Sequence, residues 1–258
     1  MSLHSKITEL SKKVNILLFC EQDLNPQNPN QILIRDQRAT HVREILKLQV
    51  GQPIRVGRIN GLSGVATLAT NSADEIRLDL SELNEPPPEA SPVELILALP
   101  RPKSLKRTLR AVANLGIKSI HLINSYRVEK PYWTAPVLEP EMMKSALLDG
   151  LSIARDTILP TVRLHRLFKP FVQDVAPHLV EGDAFVAHPS SAGNVSSAPF
   201  RTTSQRVPLA IGPEGGFTDY EVGLFREAGF QTLSLGSRIY SVECAVPVLE
   251  AILRAHRA

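Results

Sequence analysis

Long apolar runs are absent. No stretch of the 258 residues approaches the ~18 consecutive apolar side chains of a membrane-spanning helix. The opening segment, MSLHSKITELSKKVNILLF, has no apolar core followed by a small-residue cleavage site, so a secretion signal is not expected. Residues 1–12 read as a polar extension. Cysteine is scarce. Cys20 and Cys244 lie far apart in sequence, which gives no metal-ligand spacing and fits a reducing, cytoplasmic setting. No metal is expected.

An excess of one charge is also lacking. The formal net charge is +3. Residues 1–90 carry ten Lys and Arg against eleven Asp and Glu, and residues 91–258 carry nineteen against fifteen. So weak a footprint permits a nucleic-acid partner without demanding one. Neither G-x-x-x-x-G-K-[ST] nor G-x-G-x-x-G occurs at the glycine-rich stretch. There is no internal repeat and no extended low-complexity tract. What remains is an ordinary globular composition, 43% hydrophobic and 21% charged, long enough for one or two domains with a sizeable core.

The most informative stretch is Ala210–Glu221, AIGPEGGFTDYE. It reads as a strand end, a glycine turn and a helix start. Gly212, Gly215 and Gly216 allow φ > 0 and close approach of a ligand to the backbone. Thr218-x-x-Glu221 is a capping box, with Phe217 and Val222 as a hydrophobic staple. Its N–H groups sit at the positive end of the helix dipole. Phosphate suits such a loop in general, but no lysine follows and Glu214 would repel it. A neutral or cationic ligand fits better. The bland alternative, a plain strand-to-helix turn, needs fewer glycines.

Taken in order, residues 14–84 look β-rich. Val14–Phe19, Gln31–Ile34, Ile54–Arg58, Gly64–Ala69 and Ile76–Leu80 are strand-like, and one helix that starts at Thr40 or an earlier residue, with Val42, Ile45, Leu46 and Gln49 at helical spacing, ends at Gly51. A small barrel with one helix is the simplest packing. His41, Arg43, Lys47, Arg55 and Arg58 form either an RNA-facing edge or a solvated surface. The proline run within Asn84–Pro92 is a stiff spacer and the expected domain border.

From Val93 the pattern changes. Val93–Pro100 is a continuous apolar strand, as expected for burial on both faces. A helix over about Ser104–Leu115 carries Leu105, Leu109 and Val112 inward and is stopped by Gly116. Lys103, Lys106, Arg107 and Arg110 share its other face. A polyanion would relieve their mutual repulsion, and a solvated face is the alternative reading. Strands over Lys118–Ile123, Thr161–His165, Ala184–His188, 207–211 and Thr232–Leu235 alternate with helices over Pro140–Asp156, Pro170–Leu179, 218–228 and a last one to about Arg257. Ser190–Gln205 reads as loop. The alternation predicts a mostly parallel sheet covered by helices. Its carboxyl edge, including Asn124–Lys130, is where ligands bind in open α/β sheets.

IGPEGGFTDYE, LGSRIYSVECAVP (Leu235–Pro247) and His188-Pro189, in this chain, resemble the ribosomal small-subunit RNA uridine-N3 methyltransferases of the SPOUT superfamily. Leu99–Lys103, Leu115–Ile117 and Ser125–Arg127 match that family's framework. The resemblance covers nearly the whole chain. It implies an α/β protein with an N-terminal PUA-like β-barrel for RNA over residues 1–85 and a C-terminal SPOUT domain over 91–258 with a parallel sheet and a deep trefoil knot. It also implies a homodimer, S-adenosyl-L-methionine as methyl donor, and N3 of a uridine in 16S ribosomal RNA of the small subunit as acceptor. The donor is a sulfonium cation, consistent with a lysine-free glycine loop bearing Glu214.

By motif, the cofactor loops are Ala187-His188-Pro189, then Ile211, Gly212, Pro213, Glu214, Gly215 and Gly216, then Leu233, Leu235, Gly236, Ser237, Ile239 and Tyr240, with Ala245 nearby. Arg238 is the expected catalytic residue: its guanidinium can stabilise the charge that spreads onto the uracil carbonyls when N3 loses its proton. Glu243 could orient Arg238, act as base, or cap the last helix. The RNA-binding set is Arg43, Lys47, Lys103, Lys106, Arg107, Arg110 and Arg127. The family pattern has Leu, Arg and Thr at 240, 241 and 244, where this chain has Tyr240, Ser241 and Cys244. Tyr240 could stack on a base or simply pack. Pro247 is expected in the first turn of the last helix. A non-catalytic RNA-binding or assembly protein, or a nucleotide-dependent α/β enzyme, are the competing readings.

Overall fold

The computed structural model describes residues 15–189 and 206–256. The expected polar extension, the loop 190–205 and the end of the last helix at Arg257 lie outside them. The chain forms two units, Met1–Pro88 with Leu151–Leu159, and Glu89–Gly150 with Pro160–Ala258. The first junction falls inside the proline run. The return of 151–159 to the first unit has no compositional mark in the sequence.

The first unit is a curled six-stranded sheet. Its strands are β1 (Leu17–Phe19), β2 (Leu24–Asn25), β3 (Asn28–Ile34), β4 (Pro53–Arg58), β5 (Ser63–Asn71) and β6 (Ile76–Glu85), in the order β1-β4-β5-β6-β3-β2. All pairs are antiparallel except β1 with β4. Alternate residues point inward, as a pleated strand requires: Ile32 and Ile34, Ile54 and Val56, Ala66 and Leu68, Ile76 and Leu78 meet Phe19 and Val42 in one core. The β2–β3 hairpin was hidden by its polar sequence, Asn-Pro-Gln-Asn-Pro-Asn over 25–30.

The helix of this unit starts before Thr40, within the expected range, and ends sooner than its pattern suggests. It runs from Gln37 through a wider turn at His41–Ile45. Asp36 begins it by accepting from the Arg38 N–H at 2.9 Å, an N-cap that the apolar spacing could not reveal. Lys47, at φ 49°, turns the chain away before Gly51. Ile45 is 68% exposed, so only part of the expected stripe reaches the core.

The second unit holds β7 (Val93–Ala98), β8 (Ser119–Ile123), β9 (Thr161–His165), β10 (Phe185–Ala187), β11 (Val207–Ile211) and β12 (Gln231–Leu233). All run parallel, in the order β12-β10-β11-β7-β8-β9. Every residue of β7 and β11 is buried, the expected signature of central parallel strands. The long helices are α1 (Pro102–Asn114), α2 (Pro140–Ala154), α3 (Asp219–Glu227) and α4 (Val242–Ala255). Among the described residues, no helix is long and apolar enough to cross a membrane.

Two local expectations are corrected. The Pro170–Leu179 helix begins at Phe168 and widens over Phe171–Val175. Pro247 stands inside α4, not in its first turn, because Ser241 is the N-cap and Val242 opens the helix. A proline there leaves the Glu243 carbonyl without its helical donor.

Candidate active site

From β7 the chain steps outward one way, to β8 and β9. On the other side, β11 is inserted between β7 and β10. Connections that leave neighbouring strands in opposite directions open a crevice at the strands' carboxyl ends. Here that crevice lies between the ends of β7 and β11. Because the strands are parallel, the loops after β7, β8, β10, β11 and β12 share this edge. They contain Leu99–Arg101, Asn124–Lys130, His188–Pro189, Gly212–Gly216 and Ser234–Ser241.

The loop after β11 is tight. The Gly216 N–H reaches the Pro213 carbonyl at 2.7 Å. A Cβ on Gly212 would lie 2.7 Å from the Phe217 nitrogen and 2.9 Å from the Gly216 carbonyl carbon. Those are backbone atoms that cannot yield, so only glycine fits. Gly216 has φ 72°, with open space where a side chain would project. Gly212 and Pro213 are buried, while Glu214 and Gly215 face solvent.

Carboxylates fasten this loop to its neighbours. Glu214 Oε1 accepts from the Arg101 N–H at 3.0 Å. Glu221, 3% exposed, completes the expected capping box with Thr218. Its Oε1 also accepts from the Tyr126 N–H at 2.7 Å. The Arg127 guanidinium donates to the Gly215 carbonyl, so this residue, expected to face RNA, touches the glycine loop. The Tyr132 hydroxyl donates to Glu129 at 2.6 Å; that bond pushes the phenol pKa up. Tyr132 in turn leads the influences that raise Arg101.

The loops after β10 and β12 are joined to each other. The His188 N–H bonds the Leu233 carbonyl at 2.9 Å, and the His188 ring lies 3.6 Å from Asp219. The Ser234 hydroxyl reaches the Pro189 carbonyl at 3.4 Å and accepts from the Gly236 N–H at 3.1 Å. Gly236 has φ 88° and open space beside it. Leu233 is buried, Ala187, Leu235 and Ala245 are half-buried, and Ser237, Arg238, Ile239 and Tyr240 are exposed, Ile239 to 83%.

Among the described residues, no hydrogen bond or ion pair engages the Arg238 guanidinium. Glu243 lies 3.6 Å from Arg107, so its partner is on α1. Lys103, Lys106, Arg107 and Arg110 are all exposed on α1, opposite buried Leu105, Leu109 and Val112. In the first unit the expected cationic edge is largely engaged: Arg55 pairs with Glu85, Arg58 with Glu21, and Arg43 donates to the Ser72 carbonyl at 2.7 Å. Lys47 is exposed. Among the described residues, no cluster of His, Cys, Asp and Glu could hold a metal ion.

Sequence reasoning located the loops but missed what fastens them. The capping box marked Glu221, yet its bond to Tyr126 spans 95 residues and Glu214 to Arg101 spans 113. No local spacing signals such links. It also missed a chain of two buried groups and one half-buried group on one face of β7–β9. Glu94 lies 3.0 Å from His121, and His121 lies 3.0 Å from His165.

A sequence model of the RNA methyltransferase domain matches residues 87–254. The ribosomal RNA small subunit methyltransferase E of Treponema pallidum is 29% identical over 248 residues, 94% of this chain and 91% of that protein. The protein of the same name in Synechocystis is 27% identical over 220 residues, 83% of this chain and 70% of its own. Two solved structures share the fold. A methyltransferase from Legionella pneumophila, solved in complex with S-adenosylmethionine, superposes with TM-score 0.74 at 20% identity, covering 94% of this chain and 98% of its own. Ribosomal RNA small subunit methyltransferase E from Neisseria gonorrhoeae, bound to S-adenosyl methionine, gives TM-score 0.74 at 18% identity, covering 93% and 98%. With its glycine loop at the carboxyl edge of a parallel sheet and a family match over most of its length, the chain belongs to the RNA methyltransferase domain family.

Proposed function

We propose that the protein transfers a methyl group from S-adenosyl-L-methionine to N3 of a uridine in 16S ribosomal RNA. The observation that carries this reading is the Gly212–Gly216 loop. Its backbone is closed so tightly that only glycine fits at 212, and it opens at Gly216 onto unfilled space. Gly236, across the same edge of the sheet, also faces open space. Neither loop contains a lysine. Such a cradle suits a flat, neutral base and a cation better than a phosphate. The residues present therefore fit the donor. Ala187–Pro189, Ile211–Gly216 and Leu233–Tyr240, with Ala245, would hold it. When bound, it supplies an electrophilic methyl carbon on a sulfonium centre.

The chain's own residues account for the rest. The loops position two reactants, which by itself supplies a large share of an acceleration. Arg238, exposed and without a hydrogen bond or ion pair among the described residues, would meet the charge on the uracil oxygens as N3 loses its proton. Glu243, in the first turn of α4 and 3.6 Å from Arg107, complements the positive end of that helix's dipole. Lys103, Lys106, Arg107 and Arg110 offer the RNA backbone a cationic face. Arg127 keeps the glycine loop in shape, and Lys47 and Arg43 are the cations that the first unit would offer to RNA. The target base must be unpaired or flipped out. We further infer that the curled sheet is a PUA-like barrel, that the second unit carries the deep trefoil knot, and that the protein works as a cytoplasmic homodimer.

The test is incubation with small ribosomal subunits and S-adenosylmethionine, followed by mass spectrometry of the RNA. Uridine methylated at N3 is expected; its absence, with cofactor bound, would favour a non-catalytic RNA-binding or assembly protein. Ser241, where the family pattern has arginine, is the observation behind that second reading.

A further inference from the structure

The chain has four tyrosines: 126, 132, 220 and 240. None lies in either core. All four follow the carboxyl ends of parallel strands, Tyr126 and Tyr132 after β8, Tyr220 at the start of α3 after β11, and Tyr240 after β12. Two of them have partners within the molecule. Lys169 lies over the Tyr220 ring at 5.6 Å from its centroid, and the Tyr132 hydroxyl is bonded to Glu129. Tyr126 has no such partner. Among the described residues it is the most exposed large apolar or aromatic side chain, at 84%, and neither its ring nor its hydroxyl is engaged.

Its backbone, by contrast, is fixed. The Tyr126 N–H is held by the buried Glu221 carboxylate, whose other oxygen caps α3 through Thr218 N at 2.8 Å. Ser125, before it, is buried. Arg127, after it, donates to the Gly215 carbonyl. An exposed ring on a backbone this constrained loses little freedom when a flat partner settles on it. Aromatic faces on a cationic surface are how proteins seize unstacked nucleobases, irrespective of sequence.

We propose that Tyr126 is a stacking platform for an unpaired nucleobase of the RNA substrate, beside the base that is methylated. The proposal rests on the RNA-methyltransferase reading and deepens it. Because Glu221 and Arg127 tie this platform to the glycine loop, RNA seated on it also bears on the loop that would hold the donor.

The test compares Tyr126→Ala, Tyr126→Phe and Tyr126→Trp in the full chain. The measurements are affinity for small ribosomal subunits by filter binding, KM and kcat for methylation, and cofactor affinity by calorimetry. Among the described residues the side chain has no hydrogen-bond or ring partner and is 84% exposed, so all three variants should fold, and melting temperature checks this. Alanine should weaken subunit binding and raise KM about tenfold, the scale of one lost stacked base, with kcat and cofactor affinity unchanged. Phenylalanine and tryptophan should restore wild-type values, and RNA should quench the fluorescence of the added tryptophan. Alanine equal to wild type, phenylalanine as weak as alanine, or a changed oligomeric mass in place of changed RNA affinity would each overturn the proposal. Subunit binding is read without turnover. A wild-type protein that binds subunits but never methylates them would therefore sink the methyltransferase reading, while the Tyr126 series would still report on stacking.

Discussion

The Glu214 carboxylate accepts a hydrogen bond from the backbone N–H of Arg101 at 3.0 Å. Arg101 is the N-cap of α1, where N–H groups lack helical partners and negative charge is favoured. The acid of the glycine loop is thus an anchor for the loop after β7. Replacing it by glutamine keeps an acceptor in place, whereas alanine removes it. Calorimetry with S-adenosylmethionine should show Glu214→Gln within about twofold of wild type and Glu214→Ala weaker by about fivefold, the scale of one typical net hydrogen bond of about 1 kcal/mol. If glutamine binds as poorly as alanine, charge rather than anchoring is what matters.

The three glycines of that loop should differ in their tolerance of alanine. At Gly212 the new Cβ meets backbone nitrogen at 2.7 Å. Gly212→Ala should therefore destabilise the second unit by about 2 kcal/mol or more and abolish cofactor binding. At Gly215 the nearest atom is Arg127 Cδ at 2.9 Å, in a side chain that can shift where backbone cannot but whose guanidinium is bonded to the Gly215 carbonyl, so Gly215→Ala should cost less than Gly212→Ala. At Gly216 the space is open but φ is 72°, and Gly216→Ala should cost about 1 kcal/mol in backbone strain. Thermal melts of the three variants check the order.

Much of this edge was legible in the sequence because its signals are local. The apolar run 207–211, the glycines and the capping box lie within fifteen residues and specify strand, turn and helix in that order. β9 ends where Thr161–His165 predicts. The β2–β3 hairpin was not legible, since its asparagines and prolines resemble loop and its pairing is completed by β6. Pro247 was misplaced because a proline is cheapest in a first turn, and tertiary packing of α4 overrides that preference. The ion pair of Glu243 with Arg107 could not be read at all. It joins α4 to α1 across the fold, and the motif that contains Glu243 also contains the nearer-looking Arg238.

Acid should unfold the first unit through one arginine. Arg38 donates to both Asp23 and Asp36, with nitrogen–oxygen distances of 2.6 Å to each, and to the Leu18 carbonyl. Burial alone would raise the Asp23 carboxyl, but the bonds from Arg38 and the Cys20 N–H outweigh it and hold the pKa below 3.8. Asp36 is lowered chiefly by its bond to Arg38. Depressed carboxyls contribute stability that is complete above their unfolded pKa and lost as pH falls through the folded one. Arg38→Met should cost about 2 kcal/mol at pH 7, after discounting the half-exposed Asp36 for screening. The difference from wild type should shrink below pH 3.8, as denaturant melts at several pH values would show.

Mild acid should act on the second unit through His165. Its ring lies 3.0 Å from His121 and packs on Phe171, centroids 4.6 Å apart. Burial lowers its pKa below 6.5, and the charges of His121 and Arg163 add to the effect. A histidine whose folded pKa lies below the unfolded value binds fewer protons folded than unfolded. Its contribution is complete above pH 6.5 and declines as pH falls from there toward the folded pKa. Glu94, lowered first by its bond to His121, acts in a separate window below 4.5. Glutamine at 165 keeps a polar group for His121 and cannot titrate. Wild type should therefore lose melting temperature between pH 7.5 and pH 5.5, and His165→Gln should lose measurably less. Equal losses in the two proteins would mean that the proton goes elsewhere.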